Sequence, residues 1–152
     1  MSINHWIVKN LVCTLFLVVG GLNIYAQKDK YLIEAEAFQF KGKWSTDRSA
    51  DCMGSAMLRL NGGGSLDEQF DALTVVNIME EGDYNVWVRS ADYDKLPGTR
   101  LFRLSVDEKP MKESGKHGKV GFYWENAGCV QLAKKQVLLR LHDTKRNFGR
   151  CD

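Results

Sequence analysis

Glu34 and Glu36 stand two residues apart in the run Tyr31-Leu32-Ile33-Glu34-Ala35-Glu36-Ala37-Phe38. Read as a strand, this run sends both carboxylates to one face and Ile33, Ala35 and Ala37 to the other. Like charges side by side repel, so something positive belongs between them. A lysine or arginine from a neighbouring strand would make a salt-bridged, solvated pair. A hard cation such as calcium, which takes carboxylate and carbonyl oxygens, would make a metal site. The spacing leaves both open. It does not suit a glycosidase, whose two carboxylates flank a glycosidic bond from opposite sides.

Other residue sets fall short of catalysis. Ser114, His142 and Asp143 are the ingredients of a nucleophile with its base and orienting acid. Adjacent His142 and Asp143 on a strand point to opposite faces, however, so the set does not assemble. His117, in Ser114-Gly115-Lys116-His117-Gly118, reads as a loop histidine. No Cys/His spacing suits zinc. Gly62-Gly63-Gly64 lacks the lysine and following helix of a phosphate-binding loop and reads as a flexible hairpin. The expectation is a non-catalytic chain.

The elements that position these residues are strands. Alternation of period two runs through the sequence and helical periodicity is nearly absent. Phe102, Leu104 and Val106 share a face, as do Val137, Leu139 and Leu141, and Tyr84, Val86 and Val88. Ser55 to Leu60, Leu73 to Ile78 and Gly128 to Leu132 are further strands. Trp87, in the middle of its strand, reads as a packing residue. Turn signals lie between: Asn61 to Gly64, Glu81-Gly82-Asp83, Leu96-Pro97-Gly98, Val106 to Pro110 and Lys134-Lys135. Short alternating strands with regular turns predict an all-β fold, an antiparallel β-sandwich.

Met1 to Ala26 carries one lysine, Lys9, an apolar run from Leu11 to Gly21 and a small residue, Ala26, before Gln27. An apolar core this short suits a cleaved signal peptide over a membrane span, which needs about 20 residues. Residues 27–152 then form one domain, exported, with no membrane attachment after cleavage. The 21 basic and 19 acidic residues of the whole chain are interleaved, giving a net charge of +2. No basic block points to nucleic acid. Loss of Cys13 with the leader leaves Cys52, Cys129 and Cys151, an odd number. One disulfide and one thiol, or three thiols, both satisfy the count, and Cys52 with Cys151 is the favoured pair.

Four segments, in order, resemble carbohydrate-binding modules of the family 6 and family 35 type. Ile33-Glu34-Ala35-Glu36-Ala37 is similar to the family's opening "EAE" strand. Glu81 to Ala91, with Gly82, Tyr84, Val86, Val88, Arg89 and Ala91, resembles its "G-x-Y-x-v-x-v-R-x-A" strand. Gly121-Phe122-Tyr123-Trp124 followed by Val130-Gln131-Leu132 resembles "G-W-x-x-W…v-x-L", and Val137 to Leu141 resembles "h-x-l-r-l".

The resemblance implies a jelly roll of the galactose-binding-like kind and a non-catalytic, carbohydrate-binding role. A structural calcium would be held by Glu34, Glu36 and Asp152. Trp124 matches the family's binding tryptophan, and Tyr93 and Trp44 are the further aromatic candidates, with Asn126 and Asn147 as polar contacts. Ser90 stands where the family has its second aromatic, and Asn147 is offset from the family's asparagine. Arg150-Cys151-Asp152 falls where the family's final strand begins, so the last strand is expected to be missing or incomplete. The implied setting is a secreted or periplasmic protein of a Gram-negative bacterium. There the chain would be the N-terminal accessory domain of a larger polysaccharide-degrading or flavin-dependent oxidoreductase-like enzyme. It would bind glycan weakly or position that catalytic domain. The alternative is a structural or interaction domain, without sugar affinity, from the same kind of enzyme.

Overall fold

The computed structural model describes residues 30–48, 50–60, 70–93, 95–144 and 150–151. Met1–Ala26, expected to be a signal peptide, the Gly62-Gly63-Gly64 run expected to form a hairpin, Asn147 and Asp152 lie outside them. Among the described residues, the compact unit Tyr31–Asp152 has nine strands and no α-helix. They are β1 (Trp44–Arg48), β2 (Ala56–Leu60), β3 (Ala72–Asn77), β4 (Gly82–Ala91), β5 (Phe102–Val106), β6 (Lys109–Ser114), β7 (Phe122–Leu132), β8 (Gln136–Asp143) and β9 (Arg150–Cys151). One sheet has the order β1-β2-β9-β4-β7 and the other β3-β8-β5-β6, with every pairing antiparallel. The predicted antiparallel sandwich is the fold observed.

The alternating residues close the core. Ala72, Leu141 and Leu104 form one inward row of the four-stranded sheet, and Thr74, Leu139 and Val106 form the next. Leu58 and Phe102 are wholly buried. Trp44 meets Phe102 edge to face at 6.1 Å between ring centroids, so it belongs to this core. Its candidacy as a sugar contact is corrected: at 4% exposure its indole has no face to offer a ligand.

Three segments depart from the alternation-based reading. Tyr31 to Phe38 is not a strand. It runs extended to Glu34 and then closes a 3-10 turn, Ala35–Ala37, with Phe38 N donating to Ala35 O at 3.0 Å. The buried residues there are Ala35 and Phe38, three apart, and that spacing suits a 3-10 turn rather than a strand. β1 and β6 were not foreseen as strands. Both are sheet edges rich in polar residues, where burial gives weak alternation. β6 pairs with β5 through a two-residue loop in which Asp107 and Glu108 both have positive φ, 51° and 66°. That is the twist a tight hairpin needs, so Lys109 and Pro110 already belong to the strand. The favoured Cys52–Cys151 bridge does not form: among the described residues Cys52, Cys129 and Cys151 make no disulfide with one another.

Candidate functional site

β4 and β7 lie side by side at one end of the five-stranded sheet. Along β4, Val88 and Ser90 are buried while Trp87 and Arg89 point to the outer face. Across the ladder Trp87 is opposite Asn126, and Arg89 is opposite Trp124. Opposed residues share a face, so two indoles sit diagonally on the outer surface with a guanidinium and an amide at the other corners. Trp87 is 54% exposed and Trp124 49%.

A bulge makes this arrangement. Val86 is opposite Gly128 and Trp87 is opposite Asn126, which leaves Ala127 as an extra, buried residue on β7. One extra residue flips the facing of everything beyond it. Val130 and Leu132 face inward on one side of the bulge. On the other, Asn126 and Trp124 face outward. Without Ala127 in the bulge, the alternation of Val130 and Leu132 would carry Trp124 into the core.

Arg89 is held from two sides: its Nη2 donates to Asp51 O at 3.0 Å and its guanidinium carbon lies 5.1 Å from the Phe122 ring centroid. Asn126 Oδ1 accepts from Gly128 N at 2.9 Å, which leaves its amide N–H groups to donate outward. Trp124 and Asn126 are therefore brought together. Tyr93 is exposed but sits beyond the end of β4, with the Arg100 guanidinium 5.8 Å from its ring. Burial lowers the Arg100 pKa; Asp92 partly offsets this and Arg59 adds to it. The sequence reading missed Trp87. The signal that finds it is its place in the alternation, with Tyr84, Val86 and Val88 already filling the inner face.

Two loops frame the neighbouring rim. Asp92, 2% exposed, accepts from Gly98 N at 3.1 Å and from Gly118 N at 2.7 Å, joining the β4–β5 and β6–β7 loops. Glu125 Oε2 accepts from Ser90 Oγ and, at 2.7 Å, from Gly115 N. His117 Nδ1 accepts from Lys119 N at 3.2 Å, so Nε2 carries the proton and donates to Ser90 O at 3.0 Å. Its ring lies 5.0 Å from that of Tyr123.

The catalytic set does not form. His142 Nδ1 pairs with Asp71 Oδ1 at 2.8 Å, and Arg140 Nη1 reaches Asp71 Oδ2 at 3.3 Å. Asp143 and Ser114 are both buried, each opposite Phe102 on a different neighbouring strand.

Glu34 and Glu36 converge by a route other than strand alternation. A β-carbon on Gly54 would lie 3.0 Å from Glu34 Oε1 and 3.3 Å from Glu36 Oε1. Gly54 has φ +62°, and its missing side chain leaves the space into which both oxygens point. Glu36 Oε2 is buried without a hydrogen-bond partner among the described residues. This cradle of hard oxygens fits calcium in its chemistry. Among the described residues no three of His, Cys, Asp and Glu stand together as a metal site, and Asp152 is outside them.

No protein-family model and no curated protein matches the chain. Solved structures do match in fold. A family 35 carbohydrate binding module from Clostridium thermocellum is similar at TM-score 0.61 and 18% identity, over 79% of this chain and 93% of that one. A Paenibacillus cycloisomaltooligosaccharide glucanotransferase matches at TM-score 0.59 and 18% identity, over 84% of this chain and 18% of that chain. The Podospora anserina GH26-CBM35 β-(1,4)-mannanase matches at TM-score 0.60 and 14% identity, over 79% of this chain and 25% of that chain. The chain thus spans most of an isolated module but a quarter or less of each enzyme. Its fold is the antiparallel jelly-roll sandwich of such modules.

Proposed function

We propose that this chain, with the jelly-roll fold of a carbohydrate-binding module, binds glycan on the outer face of β4 and β7. The observation that carries the reading is the pair of half-exposed indoles, Trp87 and Trp124, with Arg89 and Asn126 beside them. Sugar rings present C–H faces that stack on aromatic surfaces, and their hydroxyls accept from donors such as a guanidinium or an amide. Tyr93 is a further contact at the loop rim and Asn147 another in the β8–β9 connection. The chain itself performs no catalysis in this reading. It serves an exported enzyme as an accessory domain, consistent with its match to small parts of two long enzyme chains. Met1 to Ala26 is then the export signal.

The cradle at Glu34, Glu36 and Gly54 holds a structural calcium in this reading, with Asp152 as a further ligand. The ion would neutralise two carboxylates that otherwise repel, tying the N-terminal segment to the 51–54 loop.

A glycan array with wild type, Trp124→Ala and Trp87→Ala, in calcium buffer, tests the glycan reading. Each substitution is expected to weaken binding at least tenfold, in line with the loss of a stacking contact, while leaving melting unchanged. An array at background for the wild type would sink this reading. It would favour the second one, a domain that positions a catalytic partner without sugar affinity.

A further inference from the structure

Among the described residues there are two histidines, His117 in the β6–β7 loop and His142 on β8, and their hydrogen bonds make opposite demands. His142 Nδ1 faces the Asp71 carboxylate, which accepts from a protonated ring as well as from a neutral one. His117 Nδ1 faces the Lys119 backbone N–H at 3.2 Å, and a ring nitrogen accepts only while it carries no proton. The Ser90 carbonyl, 3.0 Å from Nε2, already takes the one proton of the neutral ring. A second proton on His117 must therefore go to Nδ1. There it replaces a hydrogen bond with two donors facing each other.

The same proton acts on Lys119 a second time. The His117 ring lies 5.0 Å from that of Tyr123, and the Lys119 ammonium lies 4.8 Å from the centroid of the same tyrosine ring. A tyrosine face attracts a cation. An imidazolium would set two cations against one ring, so Lys119 is repelled at the moment its backbone loses an acceptor. The first part of the loop is fastened independently: Gly115 N donates to Glu125 and Gly118 N to Asp92, each at 2.7 Å. Release is thus confined to the part of the loop from Lys119 to the start of β7.

The other charges near the ring do not reverse this. Asp92, at the end of β4, and Glu125, on β7, would favour an imidazolium. Each already accepts from two donors, Gly98 N and Gly118 N for Asp92, Ser90 Oγ and Gly115 N for Glu125. Lys116 and Lys119 on the same loop, and Arg100 reaching Asp92 O from the β4–β5 loop, oppose it. We propose that His117 is a proton-sensitive clasp: as pH falls from about 8 to 5, the range in which imidazoles charge, Lys119 leaves Tyr123 and uncovers its ring at the rim. The closed form holds the neutral ring, so its stability is complete at the high end and is lost as the ring charges. The inference rests on the contacts of this loop and stands whether or not the indoles bind glycan.

NMR of the intact chain between pH 7.5 and 5 tests it, following the His117 ring nitrogens and the Lys119 amide together. The ring should be the Nε2–H tautomer at the high end. As Nδ1 gains its proton, the Lys119 amide should exchange about fivefold faster relative to an unstructured amide at the same pH, the weight of one hydrogen bond. Amides beside His142 on β3 and β8 should keep their protection. His117→Asn keeps a neutral acceptor near the same place and should leave Lys119 equally protected at both ends of the range. His117→Ala should leave it unprotected at both. An Nδ1–H tautomer, or Lys119 protection that persists after His117 has charged, would overturn the proposal. So would acid release of the same size in His117→Asn, which would assign the effect to Asp92 or Glu125.

Discussion

Burial, with the Glu36 charge adding to it, pushes the Cys151 thiol up to about 12, from an ordinary value near 9.0. A pKa raised on folding means that the native state holds its proton more tightly than the unfolded chain. The stabilisation is complete below about pH 8.5, where both states are protonated, and is lost as pH rises towards 12. Denaturant midpoints should therefore fall between about pH 9 and 12, and Cys151→Ala should flatten that slope. The exposed Cys129 should meanwhile take up an alkylating reagent first. Residue type alone did not separate such fates. Trp44, Trp87 and Trp124 are equally aromatic in sequence, yet one is core and two are surface. The deciding facts are a ring contact with Phe102 and a bulge at Ala127, both of which need partners distant along the chain. Trp44→Ala should cost about 3–5 kcal/mol in chemical denaturation, as for a large aromatic removed from a packed core, a cost the two surface indoles do not share.

Strands with one buried face were readable from alternation: β3, β4, β5 and β8 fall where Val, Leu, Tyr and Phe recur at every second place. The edge strands β1 and β6 were not, because an edge exposes more polar side chains and blunts the pattern. β7 was read only from Gly128 onward, since the alternation changes phase at the bulge. The Glu34–Glu36 turn was hidden for another reason. A run of eight residues can satisfy a period of two or of three, and packing of Ala35 and Phe38 chose three. At the β6–β7 connection, Gly115 has φ +84°, and a β-carbon there would stand 2.1 Å from Arg100 O. Gly115→Ala combines a steric clash with an unfavourable backbone, so a loss of about 2 kcal/mol or more is expected in thermal or denaturant unfolding.

The order of the resembling segments carried the fold class of the described residues: three of the four fall on strands of the sandwich, β4, β7 and β8, while the first, Ile33–Ala37, closes a 3-10 turn. The candidate face was only half readable: Trp124 and Asn126 were found, while Trp87 needed the facing of its neighbours. At this scale the proposed calcium joins the N-terminal segment to the loop before β2, so its removal should be felt globally. EDTA should lower the melting temperature by roughly 5 °C or more, and Glu36→Gln should remove that response; an unchanged melt would sink the calcium reading. The buried Asp92 has a consequence of its own. Its single carboxylate receives backbone N–H groups from the β4–β5 loop and the β6–β7 loop together. Neither loop can lift without unfastening a bond at the hub they share. The two loops are therefore expected to loosen together, carrying Tyr93 and His117 with them, if that carboxylate is removed.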